Sequence, residues 1–326
     1  MEKINIKQDV HEFFCPTANM TMKKAMELPP VRPLFKSLWH ERELCILFAE
    51  TNLGKSIYAM QIAESIAKKE KVMYLDFELS LSQFRSRYSN SETNDAYVFS
   101  DNLYRPSLEI ERSYTDDEAV KRMFTLMVAA AEQENIKIFV IDNITFLCGK
   151  LENGTVATRI MKELTKLKHL YGLSILVIAH THKRNPNKEI TADDLAGSKK
   201  LMNFFDSSFC IGKSQNENGI LYIKQIKVRE GEFVYHKDNV LTCSITKQDN
   251  FIQFIEEGFA IEGGLLCSKP QEKSALREYV FLMHNEGLSN RAIAKELGIS
   301  EGSIRNWLKD YNCNSLGNGL AWHFKS

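Results

Sequence analysis

Apolar and polar positions along the 326-residue chain change period in blocks. Leu44–Phe48, Val72–Leu75, Ile138–Ile141 and Leu173–Ala179 are continuous apolar runs of strand length with no solvent-facing side. Such runs suit strands buried on both faces of a sheet. Between them apolar residues recur at helical spacing: Ile57–Ala67, then Ala119, Val120, Met123, Phe124, Met127, Val128 and Ala131, then Val156, Ile160, Leu164, Leu167 and Leu170. Residues 80–88 fit a further helix, and 89–115 form a polar connection. This alternation predicts an α/β fold, a parallel sheet flanked by helices. After residue 205 the rhythm shifts to short strands at Ser208–Gly212, Ile220–Val228, Val240–Thr246 and Phe251–Glu256, with Asp249-Asn250 as a hairpin turn. These predict an antiparallel extension of the sheet.

The flanks read differently. Pro29, Pro30 and Pro33 lie within five residues and predict an extended lead-in over residues 1–36. Two consecutive glycines and a proline between Glu257 and Pro270 read as a linker. Helical periodicity resumes over 271–311, and 312–326 is a tail. The expected organisation is therefore an α/β domain over 37–258, a linker over 259–270 and a small all-α domain.

Composition narrows the classes. Hydrophobic residues at 44% and charged residues at 26% are ordinary for a globular protein. Lys+Arg and Asp+Glu both number 42, so any nucleic-acid contact must come from local patches. Seven cysteines without a C-x-x-C pair offer no zinc or disulfide framework. With no signal-like apolar core and no membrane-length run, the expectation is a cytoplasmic protein without a membrane partner.

The block boundary richest in chemistry is residues 43–56, Glu-Leu-Cys-Ile-Leu-Phe-Ala-Glu-Thr-Asn-Leu-Gly-Lys-Ser. A strand runs into a polar loop, the loop ends in Gly54-Lys55-Ser56, and a helix follows. That order is the layout of a phosphate-binding loop. The segment Ala49, Glu50, Thr51, Asn52, Leu53, Gly54, Lys55, Ser56 and Ile57 would wrap phosphates with backbone N–H groups, and the helix N-terminus would add partial positive charge. Lys55 would reach the β- and γ-phosphates and the Ser56 hydroxyl would ligate Mg²⁺, so ATP and Mg²⁺ are the expected ligands. Ala49 stands where the pattern G-x-x-x-x-G-K-[ST] has its first glycine, a departure that alanine torsions tolerate. Asp142, ending the third apolar strand, would hold Mg²⁺ through a water.

Hydrolysis also needs a group that positions water. The position after Asp142, a common place for Glu, holds Asn143; the strand after the phosphate-loop helix ends in Leu75-Asp76-Phe77-Glu78-Leu79-Ser80. In this respect the chain, over about residues 30–256, resembles the RecA-like ATPases, particularly hexameric helicases of the RepA and DnaB type. The resemblance implies Glu78 as the catalytic carboxylate, with Asp76, on the same side of the strand, as its competitor. Ile175–His182 is similar to the strand that ends in a γ-phosphate sensor, implying His180 in that role and His182 in the following loop. Lys183-Arg184-Asn185-Pro186-Asn187-Lys188-Glu189 resembles the loop lining a central nucleic-acid channel, implying Lys183 and Arg184 as phosphate contacts; Lys150 is a candidate for the first such loop. Lys224-Gln225-Ile226-Lys227-Val228-Arg229-Glu230-Gly231 resembles the Lys-x-Arg pair of those helicases. That implies Arg229 as an arginine finger in trans, Lys227 as its companion, and a homo-oligomer, a hexamer in that family.

In the last block, Ala294-x-x-Leu297-Gly298-Ile299-Ser300-x-x-Ser303-Ile304-x-x-Trp307-Leu308 resembles the helix-turn-helix of resolvase-like and homeodomain-like DNA binders. Ile304, Trp307 and Leu308 would face inward, with Ser303, Arg305, Asn306 and Lys309 outward towards duplex DNA. Arg305 and Asn306 are the candidates for bases and Lys309 for phosphate. The function these features imply is an oligomeric, DNA-associated ATPase of the RepA helicase type, serving replication or mobilisation of a genetic element. A sequence-specific DNA-binding regulator that uses ATP as an assembly switch is the alternative, and a filament-forming recombination mediator a third.

Overall fold

The structure is a computed structural model that describes residues 16–90, 92–106, 116–144, 154–181, 184–195, 199–266, 270–297, 301–302, 304–305 and 307–308. In chain order it contains α1 (Ala18–Met26), β1 (Pro33–Phe35), β2 (Trp39–His40), β3 (Leu44–Ala49), α2 (Lys55–Ala67), β4 (Val72–Asp76), α3 (Leu81–Arg87), β5 (Leu103–Tyr104), α4 (Asp116–Gln133), β6 (Ile138–Asp142), α5 (Gly154–Tyr171), β7 (Ser174–His180), α6 (Lys199–Met202), β8 (Ser207–Lys213), β9 (Leu221–Lys227), β10 (Val240–Gln248), β11 (Phe251–Ala260), α7 (Glu262–Leu266), α8 (Pro270–Asn285) and α9 (Asn290–Leu297).

Nine strands form one sheet in the order β11-β10-β9-β8-β3-β7-β6-β4-β5. From β8 to β5 every neighbouring pair is parallel, and β9, β10 and β11 add antiparallel. The chain leaves β3 towards β4 on one side and later crosses back to β8 on the other, so the carboxyl end of β3 lies at a topological switch point. Open α/β sheets bind ligands at such points.

Strand alternation divides the core into two layers. Leu44, Ile46 and Phe48 of β3 join Met123 and Met127 of α4 and Ile160 and Leu164 of α5. Cys45, Leu47 and Ala49 join Tyr58, Ile62 and Ile66 of α2 and Phe251 and Phe254 of β11. Neither face of β3 meets water, which is why its sequence is uniformly apolar. Among the described residues no helix is long and apolar enough to cross a membrane.

Both flanks carry more structure than composition implies. The lead-in holds α1, which starts at a Thr17 side-chain cap and stops before the prolines; every one of its residues is exposed. The expected linker is ordered to residue 266, because β11 runs to Ala260 and α7 follows. Long-range contacts override the glycines there. Glu262 is fully buried, pairs with the Lys224 ammonium, and accepts from the Ile190 amide at 2.9 Å and the Tyr222 hydroxyl at 3.1 Å. Leu265 and Leu266 are buried beside it. In the C-terminal module Val280, Ile293 and Ile304 form a small core with Trp307 and Leu308 against it, as the apolar spacing predicts. Gly287 has φ +88° and ends α8 in the left-handed region that glycine tolerates, and Ser289 caps α9.

Removing one partner from the buried Lys224–Glu262 pair leaves an uncompensated charge. Glu262→Ala is expected to destabilise the full chain by about 3–5 kcal/mol in urea unfolding, and Glu262→Gln by less, since it still accepts from Ile190 and Tyr222.

Candidate active site

At the carboxyl end of β3 the loop 50–54 turns into α2. Asn52 and Gly54 have φ of +65° and +80°. A Cβ on Gly54 would lie 2.7 Å from Ile245 Cδ1 and 3.0 Å from the Phe254 ring, so both torsion and space demand glycine. Ala49 belongs to the buried layer with Leu47 and Tyr58, so its methyl packs into the core. The departure from the usual glycine is thereby accommodated. The first amides of α2 have no partner within the helix and open onto the loop.

Lys55 is only 6% exposed. Its ammonium donates to the carbonyls of Ala49 at 3.0 Å and Glu50 at 2.8 Å. Burial lowers its pKa to about 8, and the charges of Asp142, Glu78 and Glu50 oppose that shift, so the group remains a cation at neutral pH.

Asp142 ends β6. The Tyr74 hydroxyl donates to its Oδ2 at 2.7 Å, whereas Oδ1 is buried without a hydrogen-bond partner among the described residues. Burial pushes the carboxyl up to about 6, opposed by the hydroxyls of Tyr74 and Ser56. A buried carboxylate oxygen lacking a donor, beside the Ser56 hydroxyl, fits a hydrated Mg²⁺ held by Ser56 directly and by Asp142 through water.

The two carboxylates left open by the sequence differ sharply in their surroundings. Asp76 Oδ1 accepts from the amides of Glu78 and Leu79 at 3.0 and 2.9 Å, and Oδ2 from Arg105 at 3.1 and 2.9 Å. It braces the turn after β4. Glu78 instead faces Asn143 and His180: Asn143 Nδ2 donates to Glu78 Oε1 and lies 3.2 Å from His180 Nε2. Burial, and secondarily the Lys55 charge, lower the pKa of His180. Lys55, Glu78, Asp142 and His180 thus share one site, and Asn143 joins them without any signal in the sequence beyond its position after Asp142.

Other expected residues lie elsewhere. Asp206 donates its amide to the Leu44 carbonyl, and Lys227 pairs with Ser208, so the start of β3 and the end of β9 share the amino edge of the parallel strands. From Leu44 to Ala49 the strand spans roughly 17 Å at about 3.3 Å per residue. Arg229, 63% exposed, donates to Asp206 Oδ1 at 2.7 Å, and Lys227 donates to the carbonyls of Met202 at 3.1 Å and Phe205 at 2.6 Å. Neither cation reaches the phosphate loop of its own chain. Arg184 departs from the expectation of a solvent-facing basic residue. Its side chain is 8% exposed, lies 3.7 Å from Glu50 and 3.6 Å from Asp194, and donates to the Lys188 carbonyl, because two carboxylates draw the guanidinium inward. Arg305 is exposed, 3.0 Å from Glu301. Lys150, His182, Lys183, Ser303, Asn306 and Lys309 lie outside the described residues.

Residues 15–186 match the family described as AAA domain, and residues 272–317 match the Homeodomain-like domain. No curated protein matches the chain. Among solved structures, a helicase ATPase domain superposes with a TM-score of 0.52 at 11% identity, covering 73% of this chain and 98% of its own. At that identity the likeness concerns the fold, and it bears out the RecA-like reading.

The raised Asp142 pKa has a measurable consequence. Between its ordinary 3.8 and about 6 the folded chain holds the proton more tightly than the unfolded chain. The contribution of this group to stability therefore falls as pH rises through that window and stays low above it. Without nucleotide and Mg²⁺, Asp142→Asn is expected to flatten this dependence and to raise stability at pH 7 by up to about 3 kcal/mol, read from denaturation across pH.

Proposed function

The chain belongs to the AAA domain family through residues 15–186, and on that premise we propose that it is an oligomeric, DNA-associated ATPase of the RepA helicase type whose hydrolytic site is shared between copies. One observation carries this reading. Lys55, Asp142, Glu78 and His180 gather at the carboxyl edge of the sheet, whereas the exposed cation Arg229 stands at the amino edge. A finger so placed can serve only the phosphate loop of a neighbour.

In this reading the loop from Ala49 to Ile57 binds ATP, and Lys55 neutralises the β- and γ-phosphates. Ser56 and Asp142 would hold Mg²⁺, which when bound offsets phosphate charge. Glu78 orients the attacking water and accepts its proton, and His180 contacts the γ-phosphate side of the site. Arg229, arriving from a neighbour, stabilises charge on the transferred phosphoryl group. Lys227 stands two residues from Arg229, and its hydrogen bonds to the Met202 and Phe205 carbonyls support a brace for the finger strand. Lys183 contacts single-stranded nucleic acid; Arg184, turned inward, would have to leave its acidic partners to do so. The 271–311 module reads duplex DNA with Ser303, Arg305, Asn306 and Lys309, a role its match to the Homeodomain-like domain supports. The ATPase domain over 37–258, together with the ordered extension to 266, supplies the motor.

The test is complementation. Lys55→Ala and Arg229→Ala are each expected to lose more than about 90% of ATPase activity, as loss of a phosphate-charge partner or finger implies. Mixing the two should recover part of it, because some mixed interfaces pair an intact loop with an intact finger. No recovery in mixtures shown to co-assemble would overturn the shared site.

A further inference from the structure

Asn143 follows β6 directly and is 1% exposed, deeper than the residues it touches. Its Nδ2 donates to Glu78 Oε1 and lies 3.2 Å from His180 Nε2. Glu78 Oε1 and His180 Nε2 are themselves 4.0 Å apart, too far for a direct hydrogen bond. One amide nitrogen stands between them. We propose that Asn143 is a positioning residue: its amide bridges Glu78 and His180, aims the carboxylate and holds the imidazole as the neutral Nδ1–H tautomer.

The donor count fixes this arrangement. A carboxylate only accepts, so the nitrogen of the amide, not its oxygen, must face Glu78. That nitrogen carries two hydrogens, and the second points to His180 Nε2, which can then only accept. The remaining proton sits on Nδ1. The groups that act on His180 are Lys55, which disfavours a second positive charge, and Glu78, which favours one; burial sides with Lys55. The neutral ring agrees with the hydrogen-bond pattern.

Chemistry supplies the reason for such a bridge. A carboxylate that must take a proton from water cannot also be locked in an ion pair with imidazolium. Without the amide, His180 and Glu78 are free to close into that pair, which would protonate the ring and occupy the acceptor. The aiming half of the inference rests on the hydrolytic reading of this site; the tautomer half does not.

Both halves are measurable in the full-length protein. With ¹⁵N-labelled histidine and no nucleotide, two-bond ¹H–¹⁵N correlations should report the Nδ1–H tautomer for His180, its signals identified by their absence in His180→Gln. Asn143→Ala should convert that pattern to the Nε2–H form or to imidazolium, and Asn143→Asp to imidazolium. In steady-state hydrolysis Asn143→Ala should lower kcat by about 10- to 100-fold while changing KM for ATP by less than about threefold. An Nε2–H tautomer in the wild-type protein would overturn the inference, and that spectrum decides the matter even where a variant does not fold. So would an Asn143→Ala protein that retains both the wild-type tautomer and its kcat. Should the tautomer respond to Asn143 while the wild-type protein hydrolyses no ATP, the bridge stands and the hydrolytic reading falls.

Discussion

A buried ammonium surrounded by three carboxylates governs the carboxyl edge of the sheet. Lys55 is desolvated at the start of α2, and Asp142, Glu78 and Glu50 keep it charged. The arrangement is internally tense: burial penalises Asp142 as well, driving its pKa to about 6. Each charge makes the other tolerable, and polyphosphate with a divalent cation would complete both. The surrounding fold serves this pair. Gly54 lets the loop pass beneath Ile245 and Phe254, Tyr74 holds one oxygen of Asp142, and Asp76 with Arg105 fixes the turn that delivers Glu78.

The opposite edge has its own anchor. Asp206 accepts from the Leu44 amide, from the Lys168 ammonium at 2.7 Å and from Arg229, so a buried carboxylate holds an exposed guanidinium in place. Because β3 begins at this edge and ends at the phosphate loop, its length separates the two cationic centres. A strand buried on both faces cannot bend to bring them together. Within one chain the arrangement is an incomplete site, and an identical neighbour is the simplest source of the missing part. Contact between an amino-edge surface and a carboxyl-edge surface is heterologous, the kind that closes into rings or propagates as filaments.

Much of this was legible in the sequence. The continuous apolar strands announced a doubly covered parallel sheet, and Gly54-Lys55-Ser56 between strand and helix announced the phosphate loop. What was not legible depends on long-range pairing. Alternation placed Asp76 and Glu78 on one side without revealing that Arg105, 29 residues on, occupies Asp76. Asn143 meets Glu78 and His180 across 65 and 37 residues, and no local pattern encodes such a bridge. Gly263 and Gly264 suggested a linker, yet Glu262 finds Lys224 38 residues earlier and orders the segment. Arg184 had the composition of an open basic loop, but Glu50 and Asp194 draw it inward. Local chemistry predicted elements; the identity of each side chain's partner came only with the fold.

The central claim is that one chain carries half of each hydrolytic site. Steady-state ATPase per chain, measured across protein concentrations that span the assembly transition seen by analytical ultracentrifugation, tests it most directly. The account predicts that activity per chain rises with the assembled fraction and that the monomer is nearly inactive. Equal activity per chain in the monomer and the oligomer would contradict it.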